Sequence, residues 1–268
     1  MNQVKQFLAG VFIGISNVIP GISGGTMAVV FNVYDQLIEA LSLNIQSIKK
    51  NFSFLLLVFL GVVTGILGFS HVMNYLLTNF ENQTYGGFIG VILGSLPILI
   101  KTGKIKKIRL SIVVSFSVFF LFMIGMWLMQ DNQAPMVSVE TLTVVGALGL
   151  FFAASISTFT MVVPGVSGSL LLVMIGYYHA IFTFTIRQFV FPQLIVVVLG
   201  MIFGLIAGAK AISFLLKNFN DVIYAGIFGL IIGSLLPLFP SLENPASTLL
   251  TMLIMGIVTY MFNYKTLR

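Results

Sequence analysis

The chain has 268 residues, of which 58% are hydrophobic and only 7% are charged. Water-soluble domains carry about 25% charged residues, so 13 basic and 7 acidic side chains cannot cover a surface that faces water. The composition therefore predicts an all-α integral membrane protein, and it excludes the basic face of a nucleic-acid-binding protein. The chain has no cysteine and only two widely separated histidines, His71 and His179, so no metal site and no cofactor are expected.

Apolar stretches follow one another along most of the chain. A helix needs about 20 residues to span a hydrocarbon core of about 30 Å. In chain order, an interrupted stretch at 7–41 precedes three predicted spans, and a second interrupted stretch at 141–186 precedes three more. The six predicted spans are 53–77, 85–100, 110–130, 192–216, 222–238 and 246–264.

The two interrupted stretches are broken by proline and closely spaced glycines. The first break is PGISGGT at 20–26, and the second is PGVSGS at 164–169. Proline and glycine stop a helix, so each stretch is predicted to form a re-entrant hairpin that enters the membrane and returns. The first half of 141–186 is also long enough to span, which leaves a complete crossing open there.

The breaks belong to an internal repeat. VIPGISGG at 18–25 matches VVPGVSGS at 162–169 with an offset of 144 residues, and Tyr34 falls on Tyr178 at the same offset. Further along, the offset is 139 residues, and the matched residues are Gly61 with Gly200, Gly65 with Gly204, Asn79 with Asn218, Phe80 with Phe219, Tyr85 with Tyr224, Gly90 with Gly229, and Gly94 with Gly233. The chain is therefore predicted to be a tandem duplication, with repeats at 1–140 and 141–268.

Basic residues predict the orientation of the chain, because they concentrate in cytoplasmic loops. With both termini in the cytoplasm, 12 of the 13 basic residues face inward and Arg187 alone lies outside. One returning hairpin and three spans cross the membrane an odd number of times, so the second repeat is predicted to be inverted. Inverted repeats with broken helices are typical of secondary transporters.

The two Pro-Gly-x-Ser-Gly turns form the candidate substrate site. Each precedes a predicted helix, whose first N–H groups and partial positive charge suit an anion such as phosphate. The candidate ligands are the turn residues and the external arginine: Gly21, Ser23, Gly24, Gly25, Thr26, Gly165, Ser167, Gly168, Ser169 and Arg187. Alternatively, the glycines only allow the hairpin tips to pack closely, and Arg187 ends a helix or pairs with a lipid phosphate.

Three ionisable residues on the return arms of the hairpins are candidates for proton coupling. Asp35 and Glu39 are four residues apart and share one helix face, and His179 takes the place of Asp35 in the second repeat. Ionisable groups inside a membrane protein are costly and commonly functional. The alternative is that these residues lie at the wet ends of the hairpins, with Glu39 as a solvated cap.

The paired turns resemble a known family. NVIPGISGGT at 17–26, followed by Tyr34, and VPGVSGS at 163–169, followed by Tyr177, are similar to the two signatures of the PopT-like polyprenyl-phosphate transporters of bacteria and archaea. The resemblance extends from Gly10 to the last span. It implies the return of undecaprenyl phosphate from the outer to the cytoplasmic leaflet of the cell membrane, for reuse in cell-envelope synthesis.

The resemblance also names the expected partners, which are a polyprenyl phosphate and the membrane lipids. Many members of the family carry Asp where this chain has Asn17, so proton coupling here would rest on Asp35, Glu39 or His179. Two other functions stay open: transport of a small soluble anion, and an enzyme acting on lipid phosphates, although no convincing nucleophile with acid–base partners is evident. The oligomeric state, a homodimer included, also stays open.

Overall fold

The computed structural model describes residues 3–18, 23–42, 51–105, 107–129, 137, 139, 142–186, 188–239 and 245–267. These residues form helices and no strand. In the predicted first repeat the helices are α1 (Gln3–Val18), α2 (Gly24–Val30), α3 (Tyr34–Leu41), α4 (Phe52–Asn79), α5 (Glu81–Thr102) and α6 (Leu110–Met129). In the second they are α7 (Val144–Val162), α8 (Gly168–Met174), a π-helix (His179–Ile186), α9 (Phe191–Asn218), α10 (Asn220–Gly233) and α11 (Pro245–Leu267).

Seven helices of the described chain are long and apolar enough to cross a membrane: α4, α5, α6, α7, α9, α11, and α10 with its extension to Leu238. The six predicted spans each coincide with one of them and differ by only a few residues at the ends. The seventh is α7, the first half of the second interrupted stretch. Its 19 residues fit a complete span, which is the alternative that its length had left open.

The helix boundaries recur at the sequence offsets. Helices α4 and α9 each contain 28 residues and end at an Asn-Phe pair, where Phe80 (φ −139°, ψ 43°) and Phe219 (φ −136°, ψ 44°) share one backbone conformation. The amides of Asn79 and Asn218 each donate to a carbonyl four residues earlier, both at 2.8 Å. The two halves therefore repeat their local structure as well as their residues.

The long helices also pair in an equivalent way in the two halves. Helix α1 packs along α4, and its counterpart α7 packs along α9. The last helix of each half crosses to the other half, so that α5 packs on α11 and α6 packs on α10. A Cβ atom at Gly61 would overlap a backbone oxygen of α1, and a Cβ atom at Gly204 would overlap one of α7. Likewise, a Cβ atom at Gly90 would overlap a backbone oxygen of α11, and a Cβ atom at Gly229 would overlap one of α6. The glycines matched in the spans thus allow close helix packing.

The first hairpin lies at the centre of the molecule. Residues 26–30 of α2 are buried, and the core around them includes side chains from α1, α4, α5, α9 and α10. The outer faces of the long helices instead expose large apolar side chains, including Phe59, Leu67, Leu121 and Leu253. Such extensive apolar exposure is rare on a soluble monomer and suits contact with lipid tails.

Candidate functional site

Both sequence motifs line one cavity. Its volume is about 770 Å³, within the usual range for small-molecule sites. The first motif contributes Ser23, Gly24 and Gly25, and the second contributes Ser167, Gly168 and Ser169. Residues that lie 144 positions apart in the sequence therefore meet at one site.

The rest of the cavity wall is largely apolar. Its other residues with a hydroxyl group are Ser157, Tyr34 and Tyr178, and the hydroxyls of Ser157 and Tyr34 donate to the carbonyls of Gly168 and Val162. Within the part of the chain that the structure describes, no acidic or basic side chain lines the cavity. An anion bound here would be held by hydroxyl and backbone N–H groups, with an apolar surface beside it. The apolar lining includes Ile13, Leu37, Ile38, Leu41, Val62, Met161, Val166, Phe182 and Leu205.

Ser23 and Ser167 occupy the same position in front of α2 and α8. Both have the extended backbone of a residue that precedes a helix, with φ −93° and ψ 131° at Ser23 and φ −94° and ψ 115° at Ser167. The Ser167 hydroxyl accepts a long bond of 3.4 Å from the N–H of Leu170 and lies 3.0 Å from the Ser169 hydroxyl. Ser23 makes no such capping bond, so its hydroxyl is available to a ligand in the cavity.

The helices behind the turns are short. Helices α2 and α8 have seven residues each, which is about two turns. The donors that the cavity offers are therefore the serine hydroxyls and the first-turn N–H groups, which have no acceptor within their own helix. The dipoles of such short helices therefore contribute only a small part of the attraction between the site and an anion.

Two buried hydrogen bonds join the hairpins. The N–H of Gly165 donates to Thr26 Oγ1 at 2.8 Å, and the hydroxyl of Tyr34 donates to the carbonyl of Val162 at 3.0 Å. A Cβ atom at Gly25 would lie 3.1 Å from the carbonyl oxygen of Met161. Thr26 and Gly165, both predicted headgroup ligands, do not line the cavity. They instead hold the two motif segments together.

We expect Thr26→Val to lower the melting temperature of the purified protein. Valine has nearly the shape of threonine but leaves the buried N–H of Gly165 without an acceptor, which costs about 1–3 kcal/mol. Thermal unfolding in detergent measures the effect. Thr26→Ser is the matched control, because it keeps the oxygen and should stay closer to the wild type. If valine left the melting temperature unchanged while serine lowered it, the methyl group and not the hydrogen bond would be what matters.

The three candidates for proton coupling lie outside the cavity lining. Asp35 and Glu39 share α3, as their spacing predicts, and both are exposed. Asp35 Oδ1 accepts a hydrogen bond of 2.6 Å from the hydroxyl of Tyr224, a buried residue of α10. His179 is exposed at the start of the π-helix. The hydrogen bond to Asp35 makes Tyr224 a functional candidate. In the sequence alone, Tyr224 stands out only as the repeat match of Tyr85.

Two predicted ligands, Gly21 and Arg187, lie outside the described residues. Their contacts with a headgroup therefore stay predictions. In the described part of the chain, no group of three or more His, Asp or Glu side chains could hold a metal ion.

Seven helices long and apolar enough to cross a membrane, together with a cavity that a repeated motif lines, define a multi-pass membrane protein. A family model described as VCA0040-like, undecaprenyl phosphate translocase-like, matches residues 13–252. The chain belongs to this family. The resemblance inferred from the two turns is thereby confirmed.

Two curated relatives, each named polyprenyl-phosphate transporter, are similar over most of their length. The protein of Vibrio cholerae serotype O1 (strain ATCC 39315 / El Tor Inaba N16961) is 26% identical over 258 residues, which cover 91% of this chain and 80% of the relative. That of Staphylococcus aureus (strain NCTC 8325 / PS 47) is 29% identical over 258 residues, covering 91% of this chain and 89% of the relative. No solved structure gives a significant match. The chain is thus a membrane transporter and not an enzyme.

Proposed function

We propose that this protein moves a polyprenyl phosphate, with undecaprenyl phosphate as the expected substrate, from the outer to the cytoplasmic leaflet of the plasma membrane. The observation that carries the proposal is the meeting of two equivalent motifs at one otherwise apolar cavity. Hydroxyl and N–H donors suit the phosphate, and the apolar wall suits the first units of an isoprenoid chain. The family and the names of the two relatives support the same class of lipid.

In this proposal the phosphate lies between the two serine-glycine turns. The hydroxyls of Ser23, Ser167 and Ser169 donate to its oxygens, and the lack of a side chain at Gly24 lets those oxygens approach the backbone. Gly168 instead allows close packing on α7, because a Cβ atom there would overlap the carbonyl oxygen of Ser157. Arg187 captures the headgroup at the outer face, because a guanidinium pairs with phosphate through two parallel hydrogen bonds. The long tail stays in the lipid while the headgroup crosses.

The proposed mechanism is alternating access between two inverted repeats, with both termini in the cytoplasm. The reciprocal pairing of α5 with α11 and of α6 with α10 supports it, because a twofold relation between the halves produces this exchange. Transporters built in this way bind their cargo where the repeats meet. The cavity lined by both motifs has that position.

Asp35 is the best supported of the three candidates for proton coupling. Its carboxylate accepts a hydrogen bond from Tyr224, which belongs to the other half. Protonation of the carboxylate would therefore change a contact between the halves, which is what coupling to an alternating-access transporter requires. Glu39 and His179, which are exposed, are the alternatives.

The proposal is tested by transport in proteoliposomes. Labelled undecaprenyl phosphate is introduced into one leaflet, and its arrival in the other is followed with and without a pH gradient. We expect Ser23→Ala/Ser167→Ala to slow this movement tenfold or more, because each lost bond to a charged group is worth about 1.5–3 kcal/mol. Ser95→Ala is the matched control, since the Ser95 hydroxyl bonds the carbonyl of Ile92 in its own helix.

Three outcomes separate the alternatives. Protein-dependent lipid movement that the double variant loses and the control keeps would support the site and the substrate. Uptake of inorganic phosphate without lipid movement would identify a transporter of small soluble anions. Wild-type lipid transport by Ser23→Ala/Ser167→Ala would show that the phosphate binds elsewhere.

A further inference from the structure

The two hairpins are equivalent in sequence but not in structure. Tyr34 and Tyr178 are matched across the repeat. Tyr34 is 2% exposed, and its hydroxyl donates to the carbonyl of Val162 in the other half. Tyr178 is 41% exposed and lines the cavity, and its hydroxyl makes no hydrogen bond to any described residue. The first hairpin is therefore docked on the other half at this position, and the second is not.

A second pair of matched residues differs in the same direction. The hydrogen bond between Asp35 and Tyr224 joins α3 of the first half to α10 of the second. The repeat matches Asp35 with His179 and Tyr224 with Tyr85, so the equivalent contact would join His179 to Tyr85. Among the described residues, the side chains of His179 and Tyr85 make no hydrogen bond.

The packing of the short helices shows the same difference between the two hairpins. Helix α3 packs on α9, and α2 packs on α5. The equivalent pairs in the other hairpin would be the π-helix with α4 and α8 with α10. Among the described residues, the two helices of each of these pairs have at most marginal contact. The return arm itself is an α-helix in the first half and a π-helix in the second, and π-helical turns are frequent at functional sites. One hairpin is thus closed against the bundle while its counterpart is open.

We propose that the Asp35–Tyr224 hydrogen bond is a gate that closes one end of the transport path, and that His179 and Tyr85 form the counterpart gate in the opposite state. In a transporter with two equivalent halves, alternating access corresponds to an exchange of the two hairpin conformations. This inference rests on the alternating access of the proposed function and adds the residues that carry it.

The proposed topology assigns each gate to a side of the membrane. Tyr224 packs against Gly103, with 2.6 Å between the Tyr224 Cβ and the position of a Cβ built on Gly103. Gly103 lies in the basic loop that the charge distribution orients toward the cytoplasm. The closed gate is then the cytoplasmic one, and the state described here opens outward, where it would accept a lipid from the outer leaflet.

Cysteine labelling tests the gate on the whole 268-residue chain, which has no cysteine of its own. Leu37→Cys on α3 and Phe182→Cys on the π-helix each place one thiol in the cavity lining. A membrane-impermeant maleimide is applied to right-side-out and to inverted vesicles, which report access from the outer and the cytoplasmic side. Both thiols should react faster from outside in the otherwise unchanged protein.

Tyr224→Phe removes only the hydroxyl of the closed gate. Loss of one hydrogen bond to a carboxylate should shift the balance between the two states by about tenfold. We expect labelling of both cysteines to rise several-fold from the cytoplasmic side and to fall from the outer side. Tyr85→Phe, which removes the hydroxyl of the counterpart gate, is the matched variant and should change labelling in the opposite direction.

Labelling needs no substrate, so its result is independent of the lipid transport assay and of the identity of the cargo. Opposite shifts from Tyr224→Phe and Tyr85→Phe would support the gates. Shifts in the same direction, or unchanged labelling with Tyr224→Phe in protein that elutes as a single species, would overturn them.

Discussion

Gly165→Leu is expected to abolish transport. Gly165 has φ +88°, a backbone conformation that glycine adopts freely and that costs other residues about 1–2 kcal/mol. A Cβ atom there would also lie only 2.9 Å from the backbone of Leu230 in α10. The Gly165 N–H holds Thr26 of the other hairpin, so a displaced turn breaks the contact between the motif segments and distorts the cavity that both of them line.

The control for this prediction is Gly125→Leu in α6, where an added Cβ atom meets nothing within 4 Å. Movement of labelled undecaprenyl phosphate in proteoliposomes is the measurement, with elution as a single species as the test of folding. Gly165→Ala should retain a small part of the activity, because it adds the backbone strain with little bulk. Full transport by Gly165→Leu would show that the turn takes no part in the transport cycle.

The second large effect is expected at Gly65, which lies where α4 crosses α1. A Cβ atom at Gly65 would overlap the carbonyl oxygen of Val11 and lie 3.0 Å from the N atom of Ile15. Both are backbone atoms, so a side chain at this position must force the helices apart. We expect Gly65→Leu to prevent accumulation of folded protein and Gly65→Ala to lower the melting temperature markedly.

Gly68, three residues further along the same helix, provides a control of opposite sign. An added Cβ atom there meets nothing within 4 Å. Alanine favours a helix over glycine by about 1 kcal/mol, so Gly68→Ala should leave the melting temperature unchanged or raise it slightly. Similar losses from Gly65→Ala and Gly68→Ala would mean that helix flexibility, and not close packing, explains the glycines of α4.

The spans and the two turns could be predicted from the sequence for separate physical reasons. A membrane fixes the length of an apolar helix, so six spans were recognisable without tertiary information. The turns at Ser23 and Ser167 were recognisable because proline and glycine recur there at matched positions. Their meeting at one cavity follows from equivalent roles in two halves, and the structure brings them together.

The parts that were missed depend on contacts between distant residues. Thr26 resembled a phosphate ligand because hydroxyls serve as donors in such sites, yet its oxygen accepts from Gly165, which is 139 residues away. The hydrogen-bond partner of Asp35 is Tyr224, which is 189 residues away on α10, and no local sequence pattern predicts such a contact. Helix α7 is compatible with both a hairpin arm and a complete span, because its segment of 19 residues is largely apolar.

The exchange of last helices between the halves has a consequence for how the protein is made. Helix α5 leaves the ribosome long before α11, the helix that covers its glycine face. During synthesis the first half is therefore an unfinished bundle, and the glycine-lined groove of α5 stays open to lipid until the last helix is inserted. The insertion of α11 is then the step that closes this groove, and a ribosome that stops before it leaves both halves unfinished.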